Sequence, residues 1–219
     1  MMRVAAGNPV HQFSSGQAVT VSQYFQALER LIKNLPCAEI DDIIAVLQRA
    51  FEEERTIFVF GNGGSASSAS HMVSDMNKGV ADPVHGRRMK VMSLTDNVPL
   101  LTACANDHGY ETVFSEQLKN FVQPGDVAFA ISCSGDSANV LLALTTARQA
   151  GAFTMGLAGF EGGAMKELCD ICAVIPSDNM QLIEDVHHAV LHSMFTVLRE
   201  RIRTGALSAL TMAAGHGSK

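Results

Sequence analysis

The chain has 219 residues, 47% of them hydrophobic, with 16 Lys and Arg against 22 Asp and Glu. That length suffices for one buried core without disulfides or a structural metal. No basic stripe is present, which argues against a nucleic-acid grip through phosphate neutralisation, and no apolar run reaches the ~20 residues of a membrane-spanning helix.

Residues 1–20 are polar, carry no sustained period, and read as a flexible arm. Over 21–35, Tyr24, Phe25, Leu28, Leu31 and Ile32 recur at helical spacing, and Pro36 ends that helix. A second helix over 39–54 places Ile40, Ile43, Ile44, Val46, Leu47 and Phe51 on a broad face. These two helices precede the first strand and have no sheet of their own to cover. They are expected to pack on a partner subunit or to wrap the main domain.

From Thr56 onward strands and helices alternate. Apolar strands are predicted over 56–60, 89–94, 126–132, 152–157 and 171–175, with a final helix over 179–203 and a flexible tail over 204–219. Residues 21–203 then form one domain. Near-continuous apolar strands separated by helices predict an α/β fold, a doubly wound five-stranded parallel sheet with extra N-terminal helices. In such sheets ligands bind beyond the carboxyl ends of the strands, where strand order reverses. The first and third strands both end in Gly/Ser-rich turns that open helices, so neighbouring placement would aim both turns into one crevice.

The start of the chain lacks the charged and apolar regions of a signal peptide. Cys37, Cys104, Cys133, Cys169 and Cys172 are an odd set, four of them in apolar stretches, as expected of reduced thiols in the cytoplasm. Cys169-Asp-Ile-Cys172 has redox or zinc spacing, but without a second such pair it reads as two small apolar residues leading into a buried strand.

Gly61-Asn-Gly-Gly-Ser65 offers bare backbone N–H groups at a helix N-terminus, an anion site. In Ser132-Cys-Ser-Gly-Asp-Ser137, Ser134, Ser137 and backbone N–H groups could wrap phosphate oxygens, or the serines could be an ordinary N-cap. Neither segment is a P-loop, and neither matches GxGxxG, so a sugar phosphate fits better than a nucleotide. His71 and Asp75 lie one turn apart on one helix face, as a surface hydrogen bond or as half of a metal site. Glu184, His188 and His192 recur every four residues on the last helix, with His187 close to the same stripe. His71 and Asp75 with Glu184 and His192 would supply two imidazoles and two carboxylates, a set suited to Zn²⁺. At least one of His187 and His188 reads as a packed or solvated helix residue. Asn106 and Asp107 fall between two predicted helices, where they could meet sugar hydroxyls, do acid/base work, or cap the next helix.

These motifs together resemble the sugar isomerase (SIS) domain family, and within it the phosphoheptose isomerases. The resemblance spans nearly the whole chain and rests on Gly61-Asn-Gly-Gly-Ser65 with His71, Ala105-Asn-Asp107, Ile131-Ser-Cys-Ser-Gly-Asp-Ser-Ala-Asn139, Gly162-Gly163 and the Glu184/His192 pair. It implies a flavodoxin-like SIS fold and a homotetramer with active sites at subunit interfaces. It also implies an aldose–ketose isomerase converting sedoheptulose 7-phosphate to glycero-manno-heptose 7-phosphate through a cis-enediol. Carried over residue by residue, Asn62, Gly63, Gly64, Ser65, Asn106 and Asp107 contact substrate, and Ser132, Cys133, Ser134 and Ser137 hold the phosphate. His71, Asp75, Glu184 and His192 bind zinc, and Asp75 and His192, with Glu184, are the acid/base groups. The family usually has glutamate at the Asp75 position, glutamine at Glu184 and threonine at Cys133. These departures leave two alternatives: an isomerase for a different ketose phosphate, or a non-catalytic SIS protein that binds the replication initiator DnaA. Relatives of that second kind lack the histidine at the His192 position, which this chain keeps.

Overall fold

The computed structural model describes residues 19–216, with side chains through Gly205. The arm predicted over 1–20 therefore lies outside the described residues except for its last two. Thr20 closes a capping box on the first helix, accepting from the Gln23 N–H while the Gln23 side chain accepts from the Thr20 N–H.

Helices α1 (Val21–Ile32) and α2 (Cys37–Glu52) precede strand β1 (Thr56–Gly61). Alternation follows through α3 (Gly64–Gly79), β2 (Lys90–Ser93), α4 (Val98–His108), a 3₁₀ turn (Tyr110–Thr112), α5 (Ser115–Phe121) and β3 (Val127–Ser132). The chain then runs through α6 (Ala138–Gln149), β4 (Phe153–Ala158), α7 (Met165–Leu168) and β5 (Ile171–Val174) to α8 (Met180–His216). All strand pairs are parallel, in the order β2-β1-β3-β4-β5. The order reverses between β1 and β3, where the register Gly61 opposite Ile131 sets the two Gly/Ser turns side by side.

Alternate residues of the inner strands feed two cores. Ile57 and Val59 of β1, with Val127, Phe129 and Ile131 of β3, pack under α2, α3 and α8. Phe58, Phe60, Ala128 and Ala130 face α4, α5 and α6 on the other side. This is the period of two that a sheet buried on both faces requires.

Three expectations change. The α2 helix does have sheet to cover, because Ile40, Ile43, Ile44, Val46 and Leu47 are buried in the same core as β1 and β5. Its amphipathic pattern showed that one face is buried but not against what. The second of the two helices predicted around Asn106 and Asp107, over 111–122, breaks at Val113 and Phe114, whose side chains are drawn into the second core. Finally, α8 does not stop at Arg203 but runs to His216, so most of the expected tail is helical. Gly205 costs only about 1 kcal/mol relative to Ala inside a helix, and the following Ala and Leu residues favour continuation.

The α1 helix lies on α8, with Ala27 and Leu31 buried between them. The Tyr24 hydroxyl donates to Asp185 at 2.6 Å, and burial with this bond pushes the phenol up to about 12. The opposite side of α1 exposes Val21 (75%) and Phe25 (61%). No helix among the described residues is long and apolar enough to cross a membrane.

Candidate active site

Two helices on one face of the sheet, α3 and α8, pack together and run parallel, Gly64 beside Glu184 and Gly79 beside Phe195. Glycine permits their approach at two points. A Cβ on Gly64 would meet the Glu184 carboxylate at 2.8 Å, and one on Gly79 would meet the Phe195 ring at 2.6 Å. Between those points the helices exchange His71 and Asp75 from α3 with His188 and His192 from α8.

His71 and His192 point Nε2 at Nε2 across 2.9 Å. The Asp75 Oδ2 lies 3.3 Å from the first of these nitrogens and 3.8 Å from the second. Donor atoms sharing one tetrahedral ion with bonds of ~2.0–2.1 Å sit roughly 3.3 Å apart, so this spread fits a divalent cation with N and O ligands. One nitrogen each from His71, His188 and His192 falls within a mutual 4.8 Å. The His188 ring stands 4.7 Å from that of His71 and 4.5 Å from that of His192, centroid to centroid. Burial, then the facing imidazoles of His192 and His71, hold His188 below the usual imidazole range. His187 points the other way. It is buried, its Nε2 lies 3.0 Å from the Ala158 carbonyl, and burial pushes it down to about 4. His187 is thus the packed member of the pair.

Glu184 stands apart from the histidines. Its carboxylate fills the space over Gly64 and reaches to 4.0 Å from Cys133 Sγ. There it lines a cavity of about 140 Å³ with Asn62, Ser65, Ser132, Cys133, Ser134, Ser137 and Met180. Burial, helped by the nearby Glu184 charge, pushes the Cys133 thiol up to about 11. The turn after β3 is braced from within: Ser132 Oγ accepts from the Gly135 N–H at 3.2 Å, and Ser134 Oγ from the Asp136 N–H at 3.3 Å. Ser137 stands at the N-cap of α6 without capping it, which leaves its hydroxyl to the cavity. Gly135 has φ +70° and packs on the Gly162 carbonyl, so no side chain fits there. Ala164 N–H donates to Asp136 Oδ1 at 2.7 Å, tying the turn to the start of α7.

Of the expected substrate contacts, Asn62, Ser65, Ser132, Cys133, Ser134 and Ser137 share this cavity. Gly63 lines an adjoining one of about 170 Å³ with Asn62, Thr95, Ala105 and Tyr110, and Gly64 bears on Glu184. Asn106 and Asp107 line neither cavity. They occupy the last turn of α4 rather than a loop, are exposed, and bond to each other at 2.7 Å.

Sequence reasoning assigned no role to Asn139, Tyr110 or His188. Asn139 and Asn62 exchange paired amide bonds of 2.8 and 2.9 Å that clamp the two turns together, and the Tyr110 hydroxyl donates to Asn62 at 3.0 Å. For Asn139 the signal was its place inside the serine motif. His188 was visible as the middle rung of the Glu184/His192 stripe. Tyr110 gave no signal.

The switch-point crevice, twin glycine/serine turns and parallel α3/α8 pair define a SIS-domain protein: the family model described as SIS domain matches residues 23–159. A phosphoheptose isomerase from Akkermansia muciniphila is 32% identical over 194 residues, covering 89% of this chain and 99% of its own length. One from Pelobacter propionicus is 38% identical over 151 residues, 69% of this chain and 79% of its own. The solved phosphoheptose isomerase GmhA from Neisseria gonorrhoeae superposes with a TM-score of 0.75 at 26% identity, over 81% of this chain and 96% of that one. Within the SIS class, the chain belongs to the phosphoheptose isomerase family.

Proposed function

We propose that this chain is an aldose–ketose isomerase that converts sedoheptulose 7-phosphate to glycero-manno-heptose 7-phosphate. The observation that carries this reading is the placement of a serine-lined anion cavity one helical turn from a cluster of imidazoles and a carboxylate on α3 and α8. The phosphoheptose isomerases among its relatives support the substrate. The phosphate would rest on the Ser134 and Ser137 hydroxyls, the backbone N–H groups of the β3–α6 turn and the N-terminus of α3. Asn62 and Ser65 would orient the sugar beside it. Held there, the phosphate provides binding remote from the reacting carbons, which positions C1 and C2 at the carboxylates and imidazoles.

Isomerisation moves one proton between C1 and C2 and a second between the two oxygens, through a cis-enediol. Asp75 or Glu184 would carry the carbon-bound proton, and His192 would serve the oxygens. His71, Asp75 and His192 would supply N and O donors to hold zinc. Bound there, a divalent cation contributes Lewis-acid polarisation of the substrate oxygens.

The exposed apolar side of α1 supports self-association, which we assign to a homotetramer. Free thiols at all five cysteines support a cytoplasmic setting. Following sedoheptulose 7-phosphate conversion with and without chelator tests the reading. Turnover that chelator abolishes and zinc restores is expected. Absence of turnover in metal-replete protein would overturn the substrate, and would turn attention to other ketose phosphates or to binding of the replication initiator.

A further inference from the structure

Glu184, His188 and His192 share one stripe of α8, four residues apart, so any two of them could face α3 as a donor pair. The structure distinguishes among them. His188 and His192 bring their rings to 4.7 and 5.0 Å from that of His71, and the three offer one nitrogen each within 4.8 Å. Glu184 lies one turn earlier on α8 and is committed elsewhere, its carboxylate over Gly64 and against Cys133 in the serine cavity.

We propose that His188, not Glu184, is the fourth metal ligand beside His71, Asp75 and His192, and that Glu184 is thereby left as the carboxylate facing the sugar. Each helix then contributes one i,i+4 pair: His71 and Asp75 from α3, His188 and His192 from α8. Two histidines four apart on one helix face are a recurring zinc-binding arrangement, because that spacing returns the second ring to the same side after about one turn. Three imidazoles and one carboxylate select a borderline transition-metal ion over Mg²⁺ or Ca²⁺, which favour all-oxygen shells. The set carries one negative charge instead of two, so a bound dication keeps a net positive charge to offer the substrate oxygens. Division of labour follows. The histidines and Asp75 hold the ion, and Glu184 has no metal bond to compete with proton transfer.

This inference refines the isomerase reading but does not depend on turnover for its test. Chelator-stripped full-length protein would be titrated with Zn²⁺, and with Co²⁺ as an optical probe of the donor set, for the parent, His188→Ala, His188→Gln and Glu184→Gln. Circular dichroism melting would check that each variant folds. Both His188 variants are expected to weaken Zn²⁺ by more than the ~10–100-fold that loss of an outer-shell partner costs, and to alter the Co²⁺ absorption bands. Glu184→Gln is expected to leave affinity and bands unchanged while its turnover falls. Weakened metal binding in Glu184→Gln with unchanged binding in the His188 variants would overturn the assignment, as would unchanged binding in all three. Failure of the isomerase reading would look different: metal binding as described, with no sugar phosphate turned over by the parent.

Discussion

Gly64 shows how closely this site is fitted at the level of single residues. A methyl group there would meet the Glu184 carboxylate at 2.8 Å, so that carboxylate must shift from the place it holds in the serine cavity. Gly64→Ala is therefore expected to cut kcat by about 100-fold, the scale on which ~1 Å displacements of reacting groups act. Its melting temperature should move much less, since alanine is a better helix former than glycine. Equal losses of stability and activity would argue against a positional effect. Glu184→Gln should reduce kcat by ~10²–10⁴-fold, the range for removal of a general base, with metal content held constant as the control. Cys133 makes a pH-dependent expectation. Its thiol ionises near 11 in the folded chain and nearer the ordinary 9 when unfolded. The folded state therefore keeps a proton that the unfolded state loses, so this contribution to stability is intact below pH 9 and declines as pH rises through 11. At pH 8 only about a thousandth of Cys133 is thiolate, so iodoacetamide should label the exposed Cys37 long before it.

Among the elements, the two turns are coupled through one amide pair and the two long helices through close packing along their length. The Asn62–Asn139 amide pair bridges the turn after β1 to the start of α6, across the point where strand order reverses. Asn139→Ala would leave the Asn62 side-chain N–H₂ without its acceptor and is expected to cost about 1–3 kcal/mol of stability. It should raise KM for the sugar phosphate more than it lowers kcat, because it loosens anchoring rather than the reacting groups. Steady-state kinetics beside thermal melts would check both parts. The sheet and both turns were legible in the sequence because β1 and β3 are apolar runs that stop at Gly/Ser clusters. The choice between Glu184 and His188 was not legible. Both lie on one stripe, and which meets His71 depends on the axial offset of α8 against α3, a packing quantity fixed where Gly64 and Gly79 let the helices close. The position of α2 was hidden for a similar reason: its periodicity marks a buried face without naming the surface that buries it.

For the molecule as a whole, one face remains unaccounted for by the fold. Val21 and Phe25 project from α1 on the side away from α8, adjoining Val19 and Ile32, which are also exposed. Burying a phenylalanine is worth about 1.5–3 kcal/mol, so a symmetric assembly that covers Phe25 several times gains substantially from it. Phe25→Asp is expected to lower the mass measured by light scattering, with the secondary structure retained. An unchanged mass would place the assembly surface elsewhere. Because the Tyr24–Asp185 bond joins α1 to the residue after Glu184, loss of assembly should also be felt as reduced turnover.

The parallel alignment of α3 and α8 has one more consequence, for substrate length. Glu184 borders the serine cavity, and His188 and His192 follow at about 6 and 12 Å along the same helix. In the proposed site the serines would hold the phosphate and the reacting end of the sugar would lie between Glu184 and the imidazoles, so the rungs of this rigid rod would work as a gauge. A sugar phosphate seated at the serines would then present its carbonyl to Glu184 on one side and the imidazoles on the other. Shorter ketose phosphates would seat at one end and fall short at the other, competing with the seven-carbon substrate without being converted. Inhibition by a five-carbon ketose phosphate, with no isomerised product, is the expected result.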